Sequence, residues 1–274
     1  MAEDGGTTAL RILLIGNGQV ATALGHALRN AGQRLIGMAG RDDERVHQVA
    51  RSLSTAAFHL NAPLPKSDVV IIAVKDDAIA EVATGLDAGG ALVVHTSGTS
   101  SMDLLSAHAR RGVLWPVQTF ISGSCPRLKD VPLVVETARR EDRDLLDPLA
   151  ASMGGRVLHM DHEQRQRLHL AAVLTSNFPV ALINEACLML ERDGLPPDLL
   201  MPLWKTTAAN VAAMGPERSL TGPARRGDQR TLDQHVKMLA SRPELRTIYG
   251  LISDLILKRR KKDASRTDPD KDQP

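Results

Sequence analysis

The run Gly16-Asn17-Gly18-Gln19-Val20-Ala21 has the spacing of a turn that holds a dinucleotide. Gly16 permits a tight bend, Gly18 lets backbone approach a pyrophosphate, and Ala21 allows a helix to pack closely on a strand. Residues Asn17, Gln19 and Val20 complete the turn, and the N–H groups opening the following helix face the phosphates. Context gives this short pattern its weight. The apolar run Arg11–Ile15 precedes it, and Val20, Leu24, Ala27 and Leu28 follow at helical spacing. The plainer alternative is an α/β domain whose first turn is merely glycine-rich.

The end of the second strand sets the choice of cofactor. An NAD site places an acidic side chain there, about 20 residues after the glycines. Here Arg41 comes first, and a guanidinium suits a 2′-phosphate, so NADP is expected ahead of NAD. Asp42 and Asp43 follow and would restore the NAD preference if the strand ended one residue later. Two further strand ends should face the ligand, because such sheets bind it beyond the carboxyl ends of their strands. Val74 is placed to back the nicotinamide or ribose, and Ser97 with Thr99 to bond its carboxamide or a substrate. The structural alternative is two ordinary loops, with Asp77 capping a helix.

The segment from His169 to Asn184 is an apolar helix with a polar stripe. At 100° per residue, His169, Ser176, Asn177 and Asn184 fall within an arc of about 100°. Pro179 cannot donate to the Thr175 carbonyl, so a kink should lie beside Asn177. Such a stripe either satisfies another element of the fold or lines a cleft, in which case His169 and Asn177 are the candidate site residues. Leu220-Thr-Gly-Pro-Ala-Arg-Arg226-Gly-Asp228 adds Arg226 and Asp228, poised to pair or to meet an anionic substrate. Thr231 and Gln234 fit a helix capping box, a structural role. His159 and His162 straddle a strand end without a third ligand nearby, so no metal is expected.

Strand and helix patterns alternate through about residue 160, which places these residues on a doubly wound parallel Rossmann sheet. From 162 to 257 the patterns are helical, at about 163–193, 198–214, 229–240 and 244–257. The expected division is a disordered tail over 1–9, a dinucleotide-binding domain over 10–161, an all-helical domain over 162–257 and a disordered basic tail over 258–274. The chain has 274 residues, 43% hydrophobic and 24% charged, enough for two modest cores. A net charge of +2 and 2% aromatic residues give no nucleic-acid footprint. No run approaches the roughly 18 uninterrupted apolar residues of a membrane helix. Cys125 and Cys187 lie far apart and form no disulfide framework. A soluble, cytoplasmic protein is expected.

With these motifs in hand, the chain resembles the Rossmann-like proteins that carry a C-terminal DUF2520 domain. The resemblance runs from about 10 to 255, on the glycine turn, Asp68–Asp77, His95-Thr-Ser-Gly98, Pro116-x-Gln-Thr-Phe120, His169 through Ser176-Asn177 and Leu220 through Asp228. The layout is similar to ketopantoate reductase, pyrroline-5-carboxylate reductase and the 6-phosphogluconate and hydroxyisobutyrate dehydrogenases. The resemblance implies an NADP-dependent oxidoreductase acting on a small carboxylate and a homodimer formed through the helical domain. It also implies that His169 and Asn177 supply a proton and a polarising amide. Two residues depart from the pattern: Trp115 stands where the family usually has histidine, and Leu168 where it usually has tyrosine. If either group is essential, this member has shifted substrate or lost activity. Reduction of a C=O bond, reduction of a C=N bond, and cofactor binding without turnover remain the alternatives at the level of sequence.

Overall fold

The computed structural model describes residues 9–121 and 128–266, with side chains described through residue 260. Strand β1 (Arg11–Ile15) leads into α1 (Gln19–Asn30), β2 (Arg34–Gly40), α2 (Asp43–Ser52), β3 (Ala57–His59) and β4 (Val69–Ile72). Then come α3 (Ile79–Thr84), β5 (Leu92–His95), β6 (Arg111–Pro116), β7 (Pro132–Thr137), α4 (Arg143–Ser152) and β8 (Arg156–His159). The rest is helical: α5 (His162–Thr175), α6 (Asn177–Arg192), α7 (Met201–Met214), α8 (Pro216–Ser219), α9 (Pro223–Arg226), α10 (Gln229–Met238) and α11 (Pro243–Arg266).

The eight strands form one sheet in the order β3-β2-β1-β4-β5-β6-β7-β8. Strand order reverses at β1, between β2 and β4, which opens the crevice where such sheets bind ligands. The sheet is parallel except where β7 pairs antiparallel with β6. Alternate residues of β1 serve opposite faces: Ile12 and Leu14 join one core cluster, Leu13 and Ile15 the other. Both faces are covered, so the strands read as continuous apolar runs.

The compact units divide between Leu182 and Ile183. The sequence pattern placed the change of texture at 161 because strands cease there, yet α5 belongs with the sheet. Its Arg165 is fully buried, donating to the Ser97 carbonyl at 3.0 Å, the Ser100 carbonyl at 2.8 Å and Glu136 at 3.0 Å. Helix α11 also departs from expectation, continuing to Arg266 through the basic run where a disordered tail was expected. Unbranched Lys and Arg are good helix formers, and positive charge suits a helix C-terminus. Residues 1–8, the remainder of that tail from 267, and Cys125 lie outside the described residues.

In the second unit, Asp228 caps α10, accepting from the Thr231 backbone N–H at 3.1 Å and its hydroxyl at 2.7 Å. The cap expected at Thr231 thus sits one turn earlier. His235 Nδ1 meets the Tyr249 hydroxyl at 2.8 Å, and Cys187 Sγ lies 3.7 Å from the Pro197 carbonyl.

Among the described residues, His162–Arg192 is long and apolar enough to cross a membrane, with a mean hydropathy of 1.4 in its most apolar 18 residues. The run is interrupted by His169, Asn177 and Asn184, yet its average stays high. The stretch is also broken structurally. Ser176 leaves helical geometry at φ −120°, ψ −69°, four residues after the Ala172 carbonyl that accepts its N–H. Pro179, with no N–H for the Thr175 carbonyl, accounts for the break.

Candidate cofactor groove and the His169 face

The glycine turn is built as a ligand cradle. Gly16 has φ +122°, and its N–H donates to the Ala39 carbonyl at 2.8 Å. A Cβ there would collide with the Ala73 carbonyl, so β1 and β4 can diverge this closely only around glycine. Gly18 is different: a Cβ would meet no protein atom within 4 Å, so its backbone is bare towards open space. It precedes α1, whose first turn carries no acidic residue and no side-chain cap. The N–H groups at that end are left for an external acceptor, and the helix dipole favours an anion.

That open space is a groove of about 650 Å³. Gly16, Asn17, Gly18, Gln19, Val20, Arg41 and Val74 all line it. Ala21 does not. It is fully buried and packs α1 onto the sheet. Arg41 is well exposed and lies 3.5 Å from Glu81, a loose surface pair. Asp42 lines the groove as well; its Oδ1 accepts the Arg45 N–H at 3.1 Å and caps α2, which ties one carboxylate oxygen to the helix start. The sequence did not single out Arg45, which lines the groove together with Arg41. Its position four residues after Arg41, in the first turn of α2, was the available signal.

Ser97 is buried, and its hydroxyl is used within its own loop. It donates to Asp76 at 2.8 Å and accepts from the N–H groups of Thr99 at 3.2 Å and Ser100 at 2.9 Å. Thr99 also donates to Asp76, at 2.9 Å. These hydroxyls therefore brace the loop after β5, the local turn chemistry that serine and threonine favour. Beneath them lies His95, fully buried, whose Nδ1 accepts the Ser97 N–H at 3.2 Å. Burial and the nearby Arg165 push the His95 imidazole down to about 4, against weaker opposing effects of the Ser101 backbone and Asp76. Arg165 Nη2 lies 3.0 Å from Glu136 and 3.1 Å from His162 Nδ1, so His162 accepts there. Arg165 carried no signal, as one charge in the polar run 162–167, and His95 carried only its place in the His95-Thr-Ser-Gly98 motif.

His169 is half-buried on α5, against Trp115 of β6 with ring centroids 5.8 Å apart. Along the same helix face, the Ser176 hydroxyl meets that of Thr119 at 2.9 Å. Asn177 is exposed at the start of α6. The stripe projected from His169 to Asn184 assumed one straight helix, and the break at Ser176 changes its phase before Asn177. Trp115 and Leu168, the two departures from the family pattern, share one apolar cluster with Val113 and Val134.

In the second unit, Arg226 ends α9 beside Asp228. Hydrogen bonds from Thr231, with Arg226 and Arg230 nearby, hold the Asp228 carboxyl below the usual carboxylate range. Among the described residues no group of histidine, cysteine and acidic side chains could hold a metal ion.

Residues 11–98 match the family described as NADP oxidoreductase coenzyme F420-dependent, and residues 131–256 match the domain of unknown function DUF2520. BF3122 of Bacteroides fragilis, assigned as an NADP oxidoreductase, is 34% identical over 91% of this chain and 98% of its own, with a TM-score of 0.83. The chain belongs to the Rossmann-like NADP oxidoreductases with a C-terminal DUF2520 domain. The fold extends further. Pyrroline-5-carboxylate reductase of Streptococcus pyogenes covers 91% of this chain and 99% of its own at 14% identity and a TM-score of 0.64. An imine reductase of Myxococcus stipitatus, solved with NADP+, covers 93% and 94% at 15% identity and 0.60. No curated protein matches the sequence. In this DUF2520 protein the matched segment begins at the start of β7, so the second motif includes sheet as well as helices.

Proposed function

We propose that this DUF2520 oxidoreductase is an NADP-preferring reductase that delivers hydride to the carbonyl carbon of a small carboxylate substrate. The observation that carries this reading is the groove beside α1, with two arginines at its β2 end and the neighbouring Asp42 engaged as a helix cap. The fit to a dinucleotide is good: bare backbone at Gly18 for the pyrophosphate, Arg41 and Arg45 for the 2′-phosphate, Val74 beside the turn. A bound nicotinamide would supply the hydride, and the protein the binding and the proton.

His169 is the proposed proton donor to the forming alkoxide, since an imidazole can give up a proton near neutral pH. Asn177 is the proposed amide that holds the oxygen, and Arg226 the proposed partner of a substrate carboxylate. A second copy of the chain is the proposed partner, covering apolar surface of α6 and α7, helices in which no residue is buried.

The test is loss of NADPH absorbance with a panel of 2-oxo acids and cyclic imines, beside binding titrations of NADPH and NADH. Turnover of a 2-oxo acid with a preference for NADPH is the expected result. Turnover confined to cyclic imines would move the chemistry to C=N reduction. Tight NADPH binding with no turnover across the panel would support a binding protein instead.

A further inference from the structure

A histidine that passes a proton is commonly oriented by a hydrogen bond to its second ring nitrogen. His169 has none: neither nitrogen bonds to any described residue. Something else must hold the ring, because a half-exposed imidazole on a helix otherwise samples several rotamers. The indole of Trp115 lies against it, with centroids 5.8 Å apart and planes inclined by 46°. Gly98 supplies the third side. A Cβ on Gly98 would lie 2.7 Å from Trp115 Cε2 and 2.8 Å from His169 Cδ2, closer than real side chains come, so both rings rest on this one backbone position.

The indole is itself fixed. It is 8% exposed and packs in a cluster with Met102, Val117, Met160 and Leu168. Arg165, one turn before His169, ties the same helix to the carbonyls of Ser97 and Ser100, which flank Gly98. Helix, loop and indole thus meet at fixed points around the imidazole.

We propose that Trp115 is the positioning residue for His169: its indole, seated on bare backbone at Gly98, fixes the imidazole plane and leaves both ring nitrogens for ligands. The assignment rests on the reading of His169 as proton donor. A residue that merely filled the core would be replaceable by any apolar group of similar volume, whereas a planar wall requires a planar group.

The first test needs no substrate. With Trp204→Phe as background, Trp115 is the one indole in the chain. Its emission should change in His169→Gln and stay level in His26→Gln, because only a ring against the indole alters its surroundings. Emission unchanged in His169→Gln would overturn the contact. By NMR, the His169 ring protons should be shifted upfield by the indole, partly so in Trp115→Phe and not in Trp115→Leu. Unshifted resonances in the unmodified protein would also overturn it.

The second test uses whichever panel substrate turns over. Trp115→Phe should keep kcat within a few-fold, while Trp115→Leu and Gly98→Ala should lose about tenfold to a hundredfold with NADPH affinity intact. Thermal unfolding and NADPH binding identify variants that fail to fold, and Trp115→Phe keeps the comparison open if Trp115→Leu does. Equal kcat for folded Phe and Leu variants would overturn the positioning role. A changed emission with unchanged turnover in His169→Gln would instead overturn the donor reading, and the positioning role with it.

Discussion

Cofactor choice rests on side chains at one strand end. Arg41 and Arg45 border the groove together with Asp42, one of whose carboxylate oxygens caps α2. NADPH should bind roughly tenfold to a hundredfold more tightly than NADH, since a charge-assisted phosphate contact contributes on the order of 1.5–3 kcal/mol. Arg41→Ala and Arg45→Ala should each remove part of that preference, and the double variant most of it. Calorimetric titration with both cofactors decides, and equal affinities in the unmodified protein would exclude the 2′-phosphate reading. At the other end of the proposed reaction, His169→Ala should lower kcat by about 10²- to 10⁴-fold while NADPH affinity stays level. Loss of cofactor binding in step with activity would make His169 a structural residue. The place of Arg41 beside the glycine turn was legible because motif spacing points to it. That Arg45 lines the same groove and that Trp115 packs on His169 was not, because both depend on what lies beside them in space.

At the scale of elements, the loop after β5 is braced from below by a neutral histidine. In the fold the His95 imidazole titrates near 4, whereas in the unfolded chain it returns to its ordinary 6.5. Above pH 6.5 neither state takes up the proton and the full stability is present. As the pH falls from 6.5 towards 4, the unfolded chain alone binds it, and stability declines. The two values imply a loss of about 3 kcal/mol across that window. Urea unfolding at pH 7 and pH 5 should show the decline, and His95→Gln, whose amide oxygen can still accept the Ser97 N–H, should flatten it. A slope unchanged by the substitution would assign the pH dependence elsewhere. The strands and helices around this loop were largely legible, since buried parallel strands are apolar throughout and each helix has its own period. The antiparallel entry of β7 was hidden, because strand direction leaves no mark on such a run. The kink near Pro179 was legible, while the change of phase it brings at Ser176 depends on backbone angles that residue types do not record.

Across the whole molecule, the conspicuous surface is apolar. Leu199, Leu203, Val211 and Met214 are each at least 40% exposed, and Trp204 nearly so. An exposed apolar face of this kind is the sort of surface that a partner covers. A dimer is expected by light scattering, and Leu203→Glu should shift it to monomer by placing a charge in the contact. A monomer that sediments with lipid vesicles would assign the surface to a membrane instead. The order of sheet then helices was legible from 2-fold and 3.6-fold periodicity. The seam was not, because it depends on Arg165, whose burial no local pattern records.

That seam governs how the chain can be divided and recombined. A cut after Asp161, where strands cease, would part the Arg165 guanidinium from Glu136 and from the carbonyls of Ser97 and Ser100. The severed half would leave Glu136 without its guanidinium partner and the Ser97 and Ser100 carbonyls without that donor. Chimaeras joined at that point between relatives would inherit the defect, while those joined after Leu182 would carry the sheet and its anchoring helix as one heritable block.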